Sequence, residues 1–287
     1  MTKSSESRSN MNNTLIAITT YNQAEYTEKC FDSLKHTQAK VICIDDASTD
    51  HTAEVCQKAG VEFICHSKPK GLTYSWNYAY RYFLENGYDF LIISNNDVLI
   101  PQGSMESVVE SLKKYSYVGC MTRRNELGYQ AKEFGVETYY SIDSKFVDDP
   151  KNYQKVQNQI LKAPLDELPV SRIYGFCFGV SRKIKECEYS DGNLFDPQNI
   201  NIGQEEDLES RTSNNVLCRK AFVFHYKGVS MGLSHLKGQD QRNQLFSYHP
   251  SYKIYLLPQR TKNLIVKCIR KTPIRAAIRW VKRKRGR

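Results

Sequence analysis

Acidic turns follow two short apolar runs of the sequence and carry its first candidates for chemistry. Residues 41–44 (VICI) lead into the turn 45–50 (DDASTD), and residues 90–93 (FLII) lead into the turn 94–97 (SNND). Continuous apolar runs bounded by turn residues are typical of strands that are buried on both faces of a parallel sheet. Because open α/β sheets bind ligands outside the carboxyl ends of their strands, the two turns predict one polar, metal-assisted site.

Asp45 and Asp46 alone leave two interpretations open. Asp is common in solvated turns, and a turn at a strand end accounts for both residues as well as a functional site does. A calcium-binding loop is excluded, because a loop that starts at Asp46 needs Gly at position 51 and Glu at position 57, where the chain has His51 and Gln57.

Strands and helices alternate in the first part of the chain. The patterns predict strands at residues 14–19, 40–44, 61–65 and 90–93, with helices at 25–34, 50–59 and 74–85 between them. Asp50 is predicted as the N-cap of the second helix, and Gly60 ends that helix. This βαβαβαβ order is typical of α/β proteins with a right-handed, mostly parallel sheet flanked by helices.

The regular alternation fades after residue 121. The patterns predict a helix at 101–114, a strand at 117–121, loops and short elements in the tyrosine-rich segment 123–172, a strand at 174–180, a helix at 206–213 and a strand at 221–224. The second half of the chain is therefore expected to extend the sheet with less regular connections.

Taken together, these segments resemble the family-2 glycosyltransferases, which have the nucleotide-sugar-binding GT-A fold. The resemblance depends on the order and spacing of six pieces between residues 13 and 231: Thr20-Tyr21-Asn22, the turn 45–50, Gly71 with Asn77, Asn95-Asn96-Asp97-Val98 with Pro101, the stretch 203–211 (GQEEDLESR), and His225 with Gly228 and Ser230. The last piece is similar to an element of the family's rhamnosyltransferase-like members. The resemblance implies a Rossmann-like domain that transfers a sugar with inversion from a nucleoside diphosphate.

The resemblance also implies how the nucleotide is bound. Asp46 accepts a hydrogen bond from the imide N–H of the base, Thr20 and Tyr21 line the same pocket, and Asp45 supports the ribose or the turn geometry. A carboxylate opposite an imide N–H forms a charge-assisted hydrogen bond, so it selects pyrimidine over purine diphosphates. The resemblance further implies that Gly71 and Asn77 shape the floor of the donor site.

A divalent metal, Mg²⁺ or Mn²⁺, is implied as the cofactor. Asp97 matches the last acid of the family's DXD motif and is the implied principal ligand, while its predecessors Asn95 and Asn96 are implied donors to ribose or phosphate. Magnesium commonly takes only one or two carboxylates plus substrate phosphates. His225 ends an apolar strand and matches the family's late histidine, either as a second metal ligand or as a donor to the diphosphate.

The general base is implied for the acidic stretch 203–211. Inverting displacement needs one carboxylate within hydrogen-bond reach of the acceptor hydroxyl. The family pattern places Glu205 at the base position, a shift of one residue gives the role to Glu206, and Asp207 is the third candidate. A charged first turn of a helix, favoured by the helix dipole, is also open as an explanation, and Asp207 and Glu209 suit it best.

The excess of basic charge lies in the last residues. Eleven of the 41 Lys and Arg residues fall in residues 262–287, which hold no Asp or Glu, so the rest of the chain has 30 basic against 31 acidic groups. Residues 259–287 are predicted to form a basic amphipathic helical tail that binds an anionic membrane surface, because Ile, Val and Trp have no use in a tail that binds only phosphates. Nucleic-acid binding is the rival interpretation.

Length and composition predict one large domain. The 287 residues, 40% of them hydrophobic, suit one large domain or a domain with appendages. The resemblance implies that this domain spans residues 13–258, with a nucleotide-sugar-binding half (13–122) and an acceptor and catalytic half (123–258). Residues 1–12 lack the hydrophobic centre of a signal peptide and are expected to be disordered. The nine cysteines lack zinc spacing and are expected to be reduced, which points to the cytoplasm, and no run approaches the ~18 apolar residues of a membrane span.

The leading hypothesis is a metal-dependent, inverting glycosyltransferase of polysaccharide biosynthesis. It would use dTDP-rhamnose or a UDP-sugar and a glycan or lipid-linked acceptor at the inner face of a membrane. A nucleotidyltransferase on a similar sheet needs a glycine-rich, basic loop after the first strand, and residues 20–23 (TYNQ) offer none. A non-enzymatic membrane or nucleic-acid adaptor, acting through the tail, is the third possibility.

Overall fold

The computed structural model describes residues 11–123, 142–201 and 203–226. Its strands are β1 Thr14–Thr20, β2 Lys40–Asp45, β3 Glu62–Cys65, β4 Phe90–Asn95, β5 Val98–Leu99, β6 Tyr117–Met121, β7 Leu168–Pro169, β8 Cys177–Ser181, β9 Val216–Phe222 and β10 Phe224–His225. Its α-helices are α1 Ala24–Leu34, α2 Thr52–Ala59, α3 Leu72–Glu85, α4 Ser104–Leu112, α5 Ser144–Asp148, α6 Tyr153–Lys162 and α7 Gln204–Arg211, and 3-10 helices span Pro150–Asn152 and Arg182–Cys187.

The first four strands form the parallel half of the main sheet. β1 pairs in parallel with β2 and β4, and β2 pairs in parallel with β3. All seven residues of β1 are buried, as expected for a central strand covered on both faces. The predicted βαβαβαβ order and the α/β fold class are therefore confirmed, while the predicted tail at 259–287 lies outside the described residues.

The other half of the sheet is mixed. The full strand order is β3-β2-β1-β4-β8-β6-β9-β7, in which β8 is antiparallel to both β4 and β6, β9 is parallel to β6, and β7 is antiparallel to β9. Ser94 at the end of β4 faces Cys177 at the start of β8. The residues that precede β8 therefore reach the edge at which β1, β2 and β4 end.

Helices cover both faces of the sheet. Successive residues of β1 belong alternately to two apolar clusters, so the clusters lie on opposite faces. One cluster holds Trp76 and Phe83 of α3 together with Leu208 of α7. The other holds Phe31 of α1 and Val108 of α4. Each large apolar side chain buried in this way contributes about 1.5–3 kcal/mol.

Several predicted boundaries are wrong by a few residues. β8 begins at Cys177, α7 begins at Gln204 because Gly203 ends the preceding loop with φ 94°, and residues 221–224 are divided between β9 and β10. α2 begins at Thr52 with His51 as its N-cap, so the prediction of Asp50 as the N-cap is wrong by one residue, although Asp50 Oδ1 accepts a hydrogen bond from the Thr52 N–H at 3.1 Å. The segment predicted to be irregular contains the ten-residue helix α6.

Two expectations from the sequence concern the cysteines and membrane-spanning helices. Within the described ranges, eight cysteines are free thiols, and Cys268 lies outside them. In the same ranges, no helix has the length and apolar character that crossing a membrane requires.

Helix α3 is joined to the segment 194–201, which leads into α7. Asn77 donates from Nδ2 to the Phe195 carbonyl at 2.8 Å and accepts from the N–H groups of Leu194 and Phe195. Nearer the start of α3, the Thr73 N–H donates to the Ile200 carbonyl at 3.0 Å. The backbone before α7 is therefore fixed by the helix that follows β3.

Gly71 makes this joint possible, because it has φ 95° and a Cβ there would lie 2.8 Å from the Ile200 carbonyl oxygen. We expect Gly71→Ala to lower the free energy of unfolding by about 2–4 kcal/mol, since left-handed strain and a backbone clash add. The matched control is Gly87→Ala, which has φ 79° and open space around the added Cβ, so it should cost only about 1 kcal/mol. Urea unfolding followed by circular dichroism measures both, and equal losses would contradict the clash at Ile200.

Candidate active site

The turns after β1 and β2 are bonded to each other. The Thr20 hydroxyl donates to Asp45 Oδ1 at 2.8 Å, and the Ser48 N–H donates to Asp45 Oδ2 at 2.8 Å. Asn22 Oδ1 accepts from the Thr49 N–H at 2.8 Å. Asp45 is buried, so its contacts are those of a carboxylate that fixes turn geometry, which is one of the two roles predicted for it.

Asp46 holds the loop that precedes α3. Its Oδ1 accepts from the Lys70 N–H at 2.6 Å and lies 3.2 Å from His66 Nδ1, and its Oδ2 accepts from the Gly71 N–H at 2.9 Å. Burial acts to raise the pKa of Asp46, but the hydrogen bonds from His66, Lys70 and Gly71 outweigh it and lower that pKa below its ordinary value. An ionised carboxylate has about four lone-pair positions, so these three partners leave one for a ligand.

The other predicted donor-site residues differ in their burial and in the contacts that the structure shows. Gly71 and Asn77 contact the segment 194–201, as described above. Asn96 is buried and donates both amide hydrogens within the protein, to the Asn22 carbonyl at 3.1 Å and to Thr27 Oγ1 at 2.9 Å. Tyr21 and Asn95 are half-buried at the ends of β1 and β4, on the edge of the sheet where a ligand is expected.

Asp97 and His225 are 128 positions apart in the sequence and meet in the structure. The two-residue strands β5 and β10 pair His225 with Val98, and the Tyr226 N–H donates to the Asp97 carbonyl at 2.9 Å. This pairing places His225 Nε2 3.3 Å from Asp97 Oδ1. Both side chains are largely buried, with 2% of Asp97 and 9% of His225 exposed.

The Asp97 and His225 side chains fit a divalent cation. Within the described residues, Asp97 Oδ1 is buried and accepts no hydrogen bond, so an electropositive partner would relieve a desolvated oxygen. Carboxylate oxygen and neutral imidazole nitrogen are both ligands of Mn²⁺-type ions, and Mg²⁺ commonly adds substrate phosphates to one or two carboxylates. No group of three or more potential ligands occurs in the described ranges.

The candidate bases on α7 differ in their partners. Asp207 Oδ2 lies 2.5 Å from Arg211 Nη2, and its other oxygen accepts from the Tyr189 hydroxyl. Glu206 forms an ion pair with Arg172, a residue that the sequence did not single out. Among the described residues, no cation lies within ion-pair distance of Glu205. The carboxylate of Glu205 is thus the one of the three whose charge is not balanced by a direct ionic contact.

Glu205 lies against the backbone just before β8. Its Oε1 accepts from the Gly175 N–H at 3.2 Å, and a Cβ at position 175 would clash with this oxygen and with the ring of Trp76. Burial, and secondly the charge of Glu206, raise the pKa of Glu205 to about 7. A carboxylate with a pKa near 7 is matched to accepting a proton near neutral pH.

Gly175 and Phe176 link the two groups of candidate residues. Glu205 contacts Gly175, while the ring of His225 stacks on Phe176 with the centroids 5.1 Å apart. The Phe176 carbonyl in turn accepts from the Asn95 N–H at 2.9 Å. The Asp97–His225 pair and Glu205 therefore flank one dipeptide at the carboxyl edge of the parallel strands.

Sequence patterns missed the residues that arrange these groups. Gly175 could have been noticed as a glycine at the start of an apolar run, which often marks a close approach of another group. His66 follows the third strand and could have been flagged by its position. Arg172 lies in an irregular segment, and no local pattern marks it.

Comparisons with known proteins bear on the fold. The sequence profile of glycosyl transferase family 2 matches residues 15–187, more than half of the chain. The crystal structure of GalNAc-T7 with UDP, GalNAc and Mn²⁺ superposes with a TM-score of 0.52 at 10% identity, over 74% of this chain and 43% of that chain. Glucosyl-3-phosphoglycerate synthase from Mycobacterium tuberculosis, in complex with Mg²⁺ and UDP, gives a TM-score of 0.49 at 13% identity, over 85% and 82%. A search of curated proteins gave no match.

At this level of identity the likeness to GalNAc-T7 concerns the fold, and it confirms the predicted GT-A architecture. The chain spans less than half of the length of GalNAc-T7.

The raised pKa of Glu205 makes the stability of the protein depend on pH. Between pH 4.5, the ordinary pKa of a glutamate, and about pH 7, the folded state keeps a proton that the unfolded chain releases. The stability that comes from this difference is fully present below pH 4.5 and is lost as the pH rises through about 7. Glu205→Gln keeps a neutral side chain at every pH. We expect its stability relative to the wild type to increase from pH 5 to pH 8, as measured by urea unfolding. Glu54→Gln, at an exposed position of α2, controls for the substitution itself, and a Glu205→Gln difference that does not change with pH would refute the expectation.

Proposed function

The chain belongs to glycosyl transferase family 2, and we propose that it transfers one sugar, with inversion, from a nucleoside diphosphate sugar to a glycan or lipid-linked acceptor. A dTDP-rhamnose or UDP-sugar donor is proposed from the motif resemblance of Asp46 and His225. The observation that carries the proposal is that Glu205 and the Asp97–His225 pair flank Gly175–Phe176 at one sheet edge. A leaving group and an attacking hydroxyl need such groups on the two sides of one sugar carbon.

Glu205 is proposed as the general base. The acceptor oxygen forms a bond to the anomeric carbon, the bond from that carbon to the diphosphate oxygen breaks with its electron pair, and the acceptor's proton goes to Glu205. The absence of an ion pair to Glu205 among the described residues supports this role, because a carboxylate held by Arg is a weaker proton acceptor. Glu206 and Asp207 are the second and third candidates, and their Arg partners weigh against them.

Asp97 and His225 are proposed to hold the divalent cation. When bound, Mg²⁺ or Mn²⁺ neutralises the charge that develops on the departing diphosphate. Asp97 presents Oδ1 and His225 presents Nε2 toward each other, and the β5–β10 pairing holds the two residues together. Such preorganisation avoids a reorganisation cost during the reaction.

The nucleotide is proposed to lie over the turns after β1 and β2. Asp46 stays ionised because of its three protein partners, so its remaining lone pair can accept the imide N–H of a pyrimidine. Tyr21 and Asn95, half-buried at the same edge, are the proposed contacts to the base, ribose or phosphates.

Removing the proposed base or the metal carboxylate tests the activity. The donor is first chosen as the nucleotide, among UDP, dTDP and GDP, that raises the melting temperature in a Mg²⁺- or Mn²⁺-dependent manner, because a ligand of the folded state stabilises it. With the corresponding nucleotide sugars, Glu205→Gln should reduce release of the nucleotide at least ~10²-fold, since general bases contribute about that much or more. Asp97→Ala should reduce it similarly and abolish the metal-dependent stabilisation.

The control is Glu186→Gln, which replaces an exposed carboxylate and should keep wild-type turnover. Full activity of both Glu205→Gln and Asp97→Ala would exclude the proposed mechanism.

We also propose that residues 262–287, which lie outside the described ranges, attach the enzyme to an anionic membrane surface at the cytoplasmic face. The full chain should co-sediment with phosphatidylcholine vesicles that contain about 30% anionic phosphatidylglycerol, and not with pure phosphatidylcholine vesicles. Deletion of residues 262–287 should abolish this binding and leave turnover on a soluble acceptor intact. A nucleic-acid adaptor would instead prefer an RNA or DNA oligonucleotide over vesicles, and equal vesicle binding by the truncated chain would refute the membrane role.

A further inference from the structure

Three glutamates of α7 lie against the segment 172–175, which precedes β8. The Gly175 N–H donates to Glu205, and the Ile173 N–H donates to Glu209. The third glutamate, Glu206, forms an ion pair with the guanidinium group of Arg172. Glu206 thus differs from its neighbours, because its partner carries a full positive charge. The side chain of Arg172 is itself held in place, with its guanidinium carbon 5.5 Å from the centre of the Tyr174 ring.

A cluster of this kind cannot ionise freely. Carboxylates that share a poorly solvated site repel one another when charged, so some of them keep a proton unless a cation fixes the charge on a particular member. Burial raises the pKa of Glu209 to about 8. The pKa of Glu205 is raised to about 7 by burial and then by Glu206, and Arg172 acts in the opposite direction.

Each element around Glu205 contributes to this balance. Glu206 and Glu209 face it from its own helix, Arg172 and the Gly175 N–H from the segment before β8, and Tyr117 from β6 interacts electrostatically with all three glutamates. The neutral indole of Trp76 on α3 packs beside Gly175. Arg172 is the cation of this set, and its ion pair is to the glutamate next to the proposed base.

We propose that Arg172 is a positioning residue that keeps Glu206 ionised and bound to the segment 172–175, so that Glu205 is the member of the cluster that accepts the acceptor's proton. This inference rests on the proposed function, in which Glu205 is the base. Without Arg172, Glu206 would compete for the same proton, and the two carboxylates would titrate as a coupled pair.

The test is a carboxyl titration that needs no substrate. The full chain is labelled with ¹³C at the glutamate side-chain carboxyl, and chemical shifts are followed from pH 4 to pH 9, with Glu205→Gln, Glu206→Gln and Glu209→Gln used to assign the signals. In Arg172→Gln the titration midpoint of Glu206 should rise by about one pH unit or more, and the Glu205 and Glu206 curves should become biphasic. Arg172→Lys should restore separate titrations, because it keeps the charge.

Two comparisons keep the test decisive. Arg182→Gln removes an exposed guanidinium outside this cluster and should leave both curves unchanged. Glu206→Gln should lower the midpoint of Glu205 by about one unit, because a like charge is removed, and this arm stands even where Arg172→Gln does not fold. An unchanged Glu206 midpoint in folded Arg172→Gln, or an unchanged Glu205 midpoint in Glu206→Gln, overturns the proposal. Retained turnover of Glu205→Gln would overturn the proposal that Glu205 is the base. The titration results do not depend on turnover, so the two failures can be told apart.

Discussion

The antiparallel pairing of β8 with β4 is the constraint on which the rest of the site depends. Four parallel strands bring their carboxyl ends to one edge, and a strand that runs the other way brings its amino end to the same edge. Ser94 faces Cys177 in this pairing, so Gly175 and Phe176 must lie beside the turn that carries Asp97. Glu205 and His225 then dock on these two residues from different parts of the chain.

The acids at this edge are distinguished by their partners. Asp45 and Asp46 are occupied by hydroxyl, backbone and imidazole groups, and they bind neighbouring loops together. Glu206 and Asp207 are balanced by arginines. In the described part of the chain, Glu205 is partly buried and has no ion pair, and Asp97 Oδ1 is buried and accepts no hydrogen bond, so each would gain from an electropositive partner. The same residue type therefore has different chemistry at neighbouring positions.

Much of the fold could be predicted from the sequence, because β1, β2 and β4 contain continuous apolar runs and Gly60 marks the end of the helix between β2 and β3. The pairing of Asp97 with His225 was implied only by the motif resemblance, since β5 and β10 are too short to leave a pattern. Helix α6 was not predicted, because one of its three buried residues is polar: Val156, Gln157 and Ile160. Arg172 could not be predicted, because the partner of an ion pair depends on tertiary approach rather than on spacing.

The joint between α3 and the segment 194–201 has a consequence for how such enzymes could be recombined. Gly71 has no room for a side chain because Ile200 lies against it, and Asn77 matches the backbone at Leu194 and Phe195. The two sides of this joint are more than a hundred positions apart. A chimaera that takes residues 13–122 from one relative and the remainder from another would separate these matched surfaces. An exchange of segments between relatives should therefore take both sides of this joint from the same parent, because an exchange of halves would separate surfaces that fit only each other.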